Sequence, residues 1–311
     1  MIEVKDLVKR YKKAKVNAVD HISFSIPAGQ FFSLLGPNGA GKTTTINILT
    51  TTLAKTSGSV TIAGYDLDKN PSKVRRNIGV IFQQPSLDEN LTAEENIRFH
   101  AVLYGLYPFR PFFSLMPKAY KDRVYQLAEL LEIKNDLFRP IKTYSGGMKR
   151  KLEIIRSFIH EPKVLFLDEP TSGLDPISRK NLWEYLTEVR REKKTTIFLT
   201  THYLDEAENS EMVCVINNGK IITLGTPGKI KKDLVDEYLL IDAKDKTKLR
   251  QELKKHHFLF EEKEKFKINL ESGNVQQVIK AIDTPLTYVK LHVPTLEEAY
   301  VELIEQNNNE N

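Results

Sequence analysis

The chain is poor in the features that would place it outside a cell or inside a bilayer. Its 311 residues hold one cysteine, Cys214, within the apolar run Met212-Val213-Cys214-Val215-Ile216. A lone thiol cannot close an internal disulfide, so it reads as a small buried hydrophobe in a reducing compartment. No apolar stretch approaches the roughly 18 residues that a membrane-spanning helix needs. The opening Met1-Ile2-Glu3-Val4-Lys5-Asp6-Leu7 alternates like a strand. It lacks the basic segment and apolar block of a signal peptide, so neither export nor insertion is expected. Charge of one sign is scarce too: 46 Lys and Arg stand against 41 Asp and Glu, a spread-out net +5. That fits an anionic ligand or a membrane face, and no nucleic-acid partner is expected. What remains is a globular composition long enough for one large domain and a smaller one.

The informative residues begin at Phe31-Phe32-Ser33-Leu34-Leu35, a short apolar run that reads as a buried strand. It leads directly into Gly36-Pro37-Asn38-Gly39-Ala40-Gly41-Lys42-Thr43, which fits G-x-x-x-x-G-K-[ST], and Thr44 to Leu49 continues as a helix. Strand, glycine loop and helix are the context of a phosphate-binding loop. Glycines let successive N–H groups wrap a phosphate at the positive end of the helix dipole. Lys42 would reach the β- and γ-phosphates, and the Thr43 hydroxyl would bind Mg²⁺. Gly36 to Thr44 is therefore the candidate cradle for ATP.

A metal-assisted phosphohydrolase also needs a carboxylate at the end of a neighbouring buried strand. Val164-Leu165-Phe166-Leu167 is such a strand, and Asp168-Glu169-Pro170 follows it. Acids at the carboxyl end of a parallel strand stand where open α/β sheets bind ligands. Asp168 is the candidate Mg²⁺ ligand, and Glu169 the candidate general base for the attacking water.

Between these motifs lies Tyr144-Ser145-Gly146-Gly147-Met148, followed by the basic helix Lys149-Arg150-Lys151-Leu152-Glu153. This resembles the signature motif of ATP-binding-cassette (ABC) ATPases, usually L-S-G-G-Q. Ser172-Gly173-Leu174-Asp175 is similar to the family's D-loop, and Thr196 to His202 reads as a strand ending in its H-loop histidine. Ile78-Gly79-Val80-Ile81-Phe82-Gln83 ends like its Q-loop, and Tyr11 stands where the family stacks an aromatic on adenine. The resemblance implies that Gln83 contacts Mg²⁺ or the lytic water and that His202 meets the γ-phosphate. It further implies that Ser145, Gly146, Gly147 and Asp175 complete the nucleotide site of a second copy across a head-to-tail dimer.

Tyr144 and Met148 depart from the usual signature. The intact Ser145-Gly146-Gly147 should still clamp phosphate, while Met148 removes an amide contact. Y-S-G-G-M followed by basic residues resembles the drug-export, daunorubicin-resistance-like branch. The implied protein is the ATPase subunit of an exporter of drug-like or other hydrophobic compounds. It would work as a homo- or heterodimer on a separate transmembrane permease, peripheral to the inner face of the cell membrane. The alternative is a soluble ABC ATPase uncoupled from transport. Repair and chromosome versions need zinc-binding cysteines or a long coiled coil, and ribosome-associated versions carry two cassettes. Neither pattern is found in this sequence.

The expected architecture is an α/β ABC cassette over residues 1–228 with a helical subdomain at about 84–160, plus an α+β accessory domain over 229–311. Val124, Leu127, Ala128 and Leu131 mark one face of a helix spanning Lys121 to Leu131. The segment Tyr107 to Pro117, with three prolines and four aromatics, cannot be a regular helix. It reads either as a loop folded onto its own subdomain or as a contact with the membrane partner or lipid headgroups. After Thr226-Pro227-Gly228, the lysine-rich stretch to Asp233 reads as a connector. The following pattern places strands at Tyr238 to Ala243, Phe258 to Phe260, Phe266 to Leu270 and Leu286 to Val293. Helices are expected at Thr247 to Lys255 and Val275 to Ile282, an order that suggests a ferredoxin-like domain. Thr295 and Glu298 form a capping box at the head of a last helix.

Overall fold

The computed structural model describes all residues except 83–85, 172–173, 271–274 and 310–311. The chain divides into two compact units, Met1–Thr223 and Leu224–Asn311.

The first unit is built on a six-stranded sheet in the order Lys220–Gly225, Met212–Asn217, Phe31–Leu35, Thr196–Thr201, Val164–Asp168, Ile78–Ile81. Phe31–Leu35 pairs in parallel with Met212–Asn217 on one side and Thr196–Thr201 on the other. Thr196–Thr201 pairs in turn with Val164–Asp168, also in parallel. Phe31–Leu35, Val164–Asp168 and Thr196–Thr201 are buried along their whole length because both faces are covered, as parallel sheets require. A second, antiparallel sheet, Val19–Ile26, Ile2–Lys9, Ser57–Ile62 and Tyr65–Asp66, lies against one face. Phe24 stacks on Phe32 at 5.3 Å between ring centroids, and Phe32 on Phe198 at 5.2 Å, joining the two sheets through one core. Cys214 is fully buried in that core, and burial pushes its thiol up to about 12.

The opposite face carries helices Ala93–Leu103, Lys118–Leu130 and Gly146–Phe158. Val124, Leu127, Ala128 and Leu131 are all buried, so the 3.6-residue period identified the inward face. Two anomalies of the signature sequence are explained here. Tyr144 is buried and donates its hydroxyl to the Asp136 carbonyl at 2.7 Å, and Met148 packs on the helical core.

In the second unit a four-stranded antiparallel sheet has the order Phe260–Glu262, Phe266–Asn269, Tyr238–Ala243, Leu286–His292. The capping box is present: Thr295 Oγ1 accepts from the Glu298 N–H at 3.2 Å while Glu298 accepts from the Thr295 N–H at 3.0 Å. Two expectations need correcting. The lysine-rich connector is a helix, Pro227–Leu234, because the Thr226 side chain caps it, Pro227 opens it and Ile230 is buried. The strand at Phe258 to Phe260 begins two residues later, at Phe260, since its register is set by pairing with Phe266–Asn269.

Candidate functional site

The glycine loop joins strand Phe31–Leu35 to helix Lys42–Leu49, and its glycines answer to close approach. A Cβ on Gly36 would lie 2.2 Å from the Ile216 carbonyl oxygen, and one on Gly41, whose φ is +106°, 2.5 Å from that of Ala18. Only glycine therefore permits the loop to turn against the neighbouring strand and start a helix. Lys42 folds back beneath the loop and donates from Nζ to the carbonyls of Gly36, at 2.8 Å, and Pro37, at 3.1 Å.

The two neighbouring strands end at the same level. Lys42 Nζ lies 3.7 Å from Glu169 Oε1, and His202 Nδ1 lies 3.1 Å from that same oxygen. The Lys42 and Glu169 side chains are 5% and 12% exposed. Lys42, Glu169 and His202, which sequence places more than a hundred residues apart at the extreme, thus form one chain of contacts. Glu169 has a φ of +46°, the left-handed region that a non-glycine residue seldom adopts, and such strain gathers at functional sites. Its N–H is tied to the Thr200 carbonyl at 3.0 Å, and its carboxylate meets Lys42 and His202.

Asp168 is buried and accepts a hydrogen bond from the Thr200 hydroxyl. Burial pushes its carboxyl above the ordinary value, and the Thr200 bond opposes this. Burial likewise holds the Lys42 ammonium below its ordinary value, against the attraction of Glu169 and Asp168. Thr43, at the start of the helix, is exposed. Tyr11 is 46% exposed, with its hydroxyl 3.3 Å from Thr44 Oγ1, so it reaches the edge of the cradle. Among the described residues no cluster of three or more His, Cys, Asp or Glu could hold a metal ion unaided.

The signature residues stand apart in character. Ser145 caps helix Gly146–Phe158, its Oγ accepting from the Met148 N–H at 3.2 Å. Ser145 and Gly146 are exposed, Gly147 half-buried, and a Cβ on Gly146 would meet nothing within 4 Å. Asp175 is exposed, and its carboxylate accepts from the Ile177 N–H at 3.0 Å. Gln83, Ser172 and Gly173 lie outside the described residues.

Two positions escaped the sequence reading. The sequence marks Arg150 only as part of a basic helix, yet it is buried. It donates to the carbonyls of Pro170, at 2.8 Å, and Phe82, and pairs with buried Glu153 at 2.9 Å. It therefore links the signature helix to the ends of both strands that carry the acid pair and the Q-loop. Glu206 is buried and accepts from the hydroxyls of Thr171 and Thr201, the latter at 2.7 Å. It joins the end of the histidine strand to the turn after the acid pair. The one local signal was Thr201, five residues before the acid, since Thr171 stands 35 residues away.

Comparison with known proteins agrees with this geometry. A family model described as ABC transporter matches residues 19–172. The chain is 39% identical over 245 residues to the daunorubicin/doxorubicin resistance ATP-binding protein DrrA of Streptomyces peucetius, covering 78% of this chain and 71% of that one. It is 37% identical over 231 residues to the probable multidrug ABC transporter ATP-binding protein YbhF of Escherichia coli, spanning 74% of this chain but 38% of the relative's length. Among solved structures it resembles the ATP-binding cassette MJ0796 in a dimeric post-hydrolysis state bound to ADP and Pi. The TM-score there is 0.65 at 25% identity, over 73% of this chain and 98% of the other. Likeness of this extent, over most of this chain and most of DrrA, makes the protein a member of the ABC transporter family, on its ATP-binding side.

Proposed function

We propose that this chain hydrolyses ATP to drive a separate transmembrane permease, as one of two ATPase subunits at the inner face of the cell membrane. The observation that carries the reading is the meeting of Lys42, Glu169 and His202 at the carboxyl ends of three adjacent parallel strands beside the glycine loop. Lys42, exchanging loop carbonyls for phosphate oxygens, would bind the β- and γ-phosphates. Glu169 would take hydrogen-bond donation from the attacking water as general base, and His202, 3.1 Å away, would orient it and meet the γ-phosphate. Tyr11 would lie against adenine at the rim of the cradle.

The Thr43 hydroxyl and the Asp168 carboxylate offer hard oxygens beside that cradle, a donor set that fits Mg²⁺. Bound there, with Gln83 as a further ligand, the ion would neutralise charge on the bridging phosphate oxygens. The exposed Ser145 and Gly146 at a helix N-terminus support the reading that this cradle serves a second copy's nucleotide, with Gly147 and Asp175 beside it. Export of drug-like or other hydrophobic compounds is the direction supported by the Tyr144 and Met148 signature and by the drug-resistance and multidrug roles for which DrrA and YbhF are named. For residues 229–311, a β-α-β-β-α-β order with all sheet neighbours antiparallel supports the ferredoxin-like assignment.

The test compares ATP turnover by purified Glu169→Gln and wild type, with mass followed by light scattering. Turnover should fall by about a hundredfold or more while the variant becomes an ATP-dependent dimer. Unchanged turnover by a monomer would overturn both the assigned base and the sandwich. For direction, ATP-driven accumulation toward the ATPase side of membranes carrying the cognate permease would overturn export.

A further inference from the structure

The proline- and aromatic-rich loop serves no part of the nucleotide site, and the structure divides its side chains into two sets. Phe113 turns inward, edge-on to Tyr125 at 5.5 Å and to Phe138 at 5.4 Å, and Tyr107 meets Tyr120 at 5.5 Å. Phe109, Phe112 and Leu115 turn outward, 54%, 65% and 55% exposed. Phe109 stacks on Phe99 at 6.1 Å, which merges the loop tip with Phe99 and Leu103, a stripe on helix Ala93–Leu103 that Leu106 extends. Leu103 is 84% exposed.

This outward set is held in place rather than left loose. Arg98 is buried, pairs through Nε with Glu94 at 2.9 Å, and donates from its terminal nitrogen to the carbonyls of Arg110, at 2.7 Å, and Pro111, at 2.9 Å. A buried ion pair is costly to desolvate, and here its remaining donors clamp the loop backbone. The Phe112 and Phe113 carbonyls accept from the Leu115 and Met116 N–H groups, and Pro108 and Pro111 have no N–H. The carbonyls of Arg110, Pro111, Phe112, Phe113 and Ser114 thus have partners within the helical subdomain, and Phe109, Phe112 and Leu115 remain exposed on that anchored loop. An exposed aromatic ridge held on a fixed backbone suits the headgroup boundary of a lipid surface.

Charge points the same way. No Asp or Glu occurs from Asn96 to Lys121, while Arg110, Lys118 and Lys121 do. Lys118 pairs with Asp122 at 2.6 Å, and Lys121 donates to the Ser114 carbonyl at 3.3 Å, leaving Arg110 at the tip among the outward aromatics. A cation near an anionic leaflet is drawn to it, and salt screens that attraction.

We infer that the ridge formed by Phe99, Leu103, Leu106, Phe109 and Phe112, with Arg110 at its tip, docks on an anionic lipid surface. Phe109 and Phe112 enter the headgroup boundary and Arg110 meets lipid phosphate. This deepens the membrane-peripheral part of the reading above, and it is tested without reference to transport. The full chain is floated with vesicles of phosphatidylcholine, with and without phosphatidylglycerol, and ATP turnover is measured on the same samples. Wild type should float with the anionic vesicles and lose this at high salt. Phe109→Ser/Phe112→Ser should bind about tenfold more weakly or worse, and Arg110→Glu should lose the preference for phosphatidylglycerol. All should keep the wild-type melting temperature and turnover in solution. Absence of wild-type flotation, or equal flotation by the double variant, overturns the inference. So does a double variant that floats normally but no longer co-purifies with the permease, which would make the ridge a protein dock. Loss of turnover in wild type would instead count against the ATPase reading alone.

Discussion

Two regions of the first unit carry groups suited to gripping phosphate, and they are housed in opposite ways. At the strand ends, Lys42, Asp168 and Glu169 are withdrawn from solvent and satisfied by Gly36, Pro37, Thr200 and His202. At the head of the signature helix, Ser145 and Gly146 face outward, and the serine hydroxyl accepts the local cap bond from Met148. Buried charges are stable only when paired and hydrogen-bonded, so the first region is pre-assembled by the fold. Exposed N–H groups at a helix start lose little by staying hydrated, so the second can wait for its anion. The difference teaches that, on the proposed reading, one half-site is assembled within the chain and the other is presented outward, the division expected of a sandwich dimer.

The connection between these regions is where the largest effect should be found. Arg150→Ala removes the guanidinium that spans the signature helix, Phe82 and Pro170, and leaves Glu153 buried with Arg156, 3.8 Å away, as its remaining counter-ion among the described residues. A loss of about 3 kcal/mol in denaturant unfolding is expected; a neutral effect would mean the two regions are mechanically independent. Next, Ser145→Ala should lower turnover by about a hundredfold while leaving nucleotide binding to the monomer intact. Titration with a fluorescent ATP analogue separates the two, and weakened monomer binding would place Ser145 in its own chain's site. Tyr11→Ala, at the rim of the pre-assembled half, should weaken binding in the same titration by about tenfold, the scale of one aromatic contact.

The smallest effect is the most diagnostic of burial. The folded state raises the Asp168 carboxyl above its unfolded value, so the native protein holds a proton that the unfolded chain has released. Stability therefore falls as pH rises through that window, and at neutral pH the charge is a net cost without a bound cation. Asp168→Asn, which keeps an acceptor for Thr200, should melt about 2 °C higher than wild type at pH 7. The gain should shrink as pH falls toward the ordinary carboxylate range, and the variant should lose stabilisation by Mg²⁺ with nucleotide. A lower melting temperature at pH 7 would show that the attraction of Lys42 outweighs desolvation.

Legibility followed the range of the interaction. The phosphate loop could be read because its chemistry demands particular residues at adjacent positions, and the helix around Val124 because one period repeats over three turns. Helix Pro227–Leu234 was missed because Gly228 and three lysines hid a cap and one buried isoleucine. Arg150 and Glu206 were missed because their partners stand 20 or more residues away for Pro170, Phe82 and Thr171. A basic or acidic residue on a helix reads as solvated until the packing of other elements encloses it. The loop at 107–117 divided evenly: its prolines excluded a helix, but which aromatics turn inward depended on Tyr120, Tyr125 and Phe138.

Sequence alone thus determined the identity and order of the nucleotide-handling segments, since backbone wrapping, magnesium ligation and proton abstraction each require specific side chains in a local pattern. Only the tertiary structure determined that Lys42, Glu169 and His202 share one contact and that Ser145 faces away from solvent-excluded surroundings. It also decided that Arg150 is a buried tie and Phe109 an exposed tip. Strand pairing and burial are properties of distant segments meeting, and desolvation acts on a charge only once they have met.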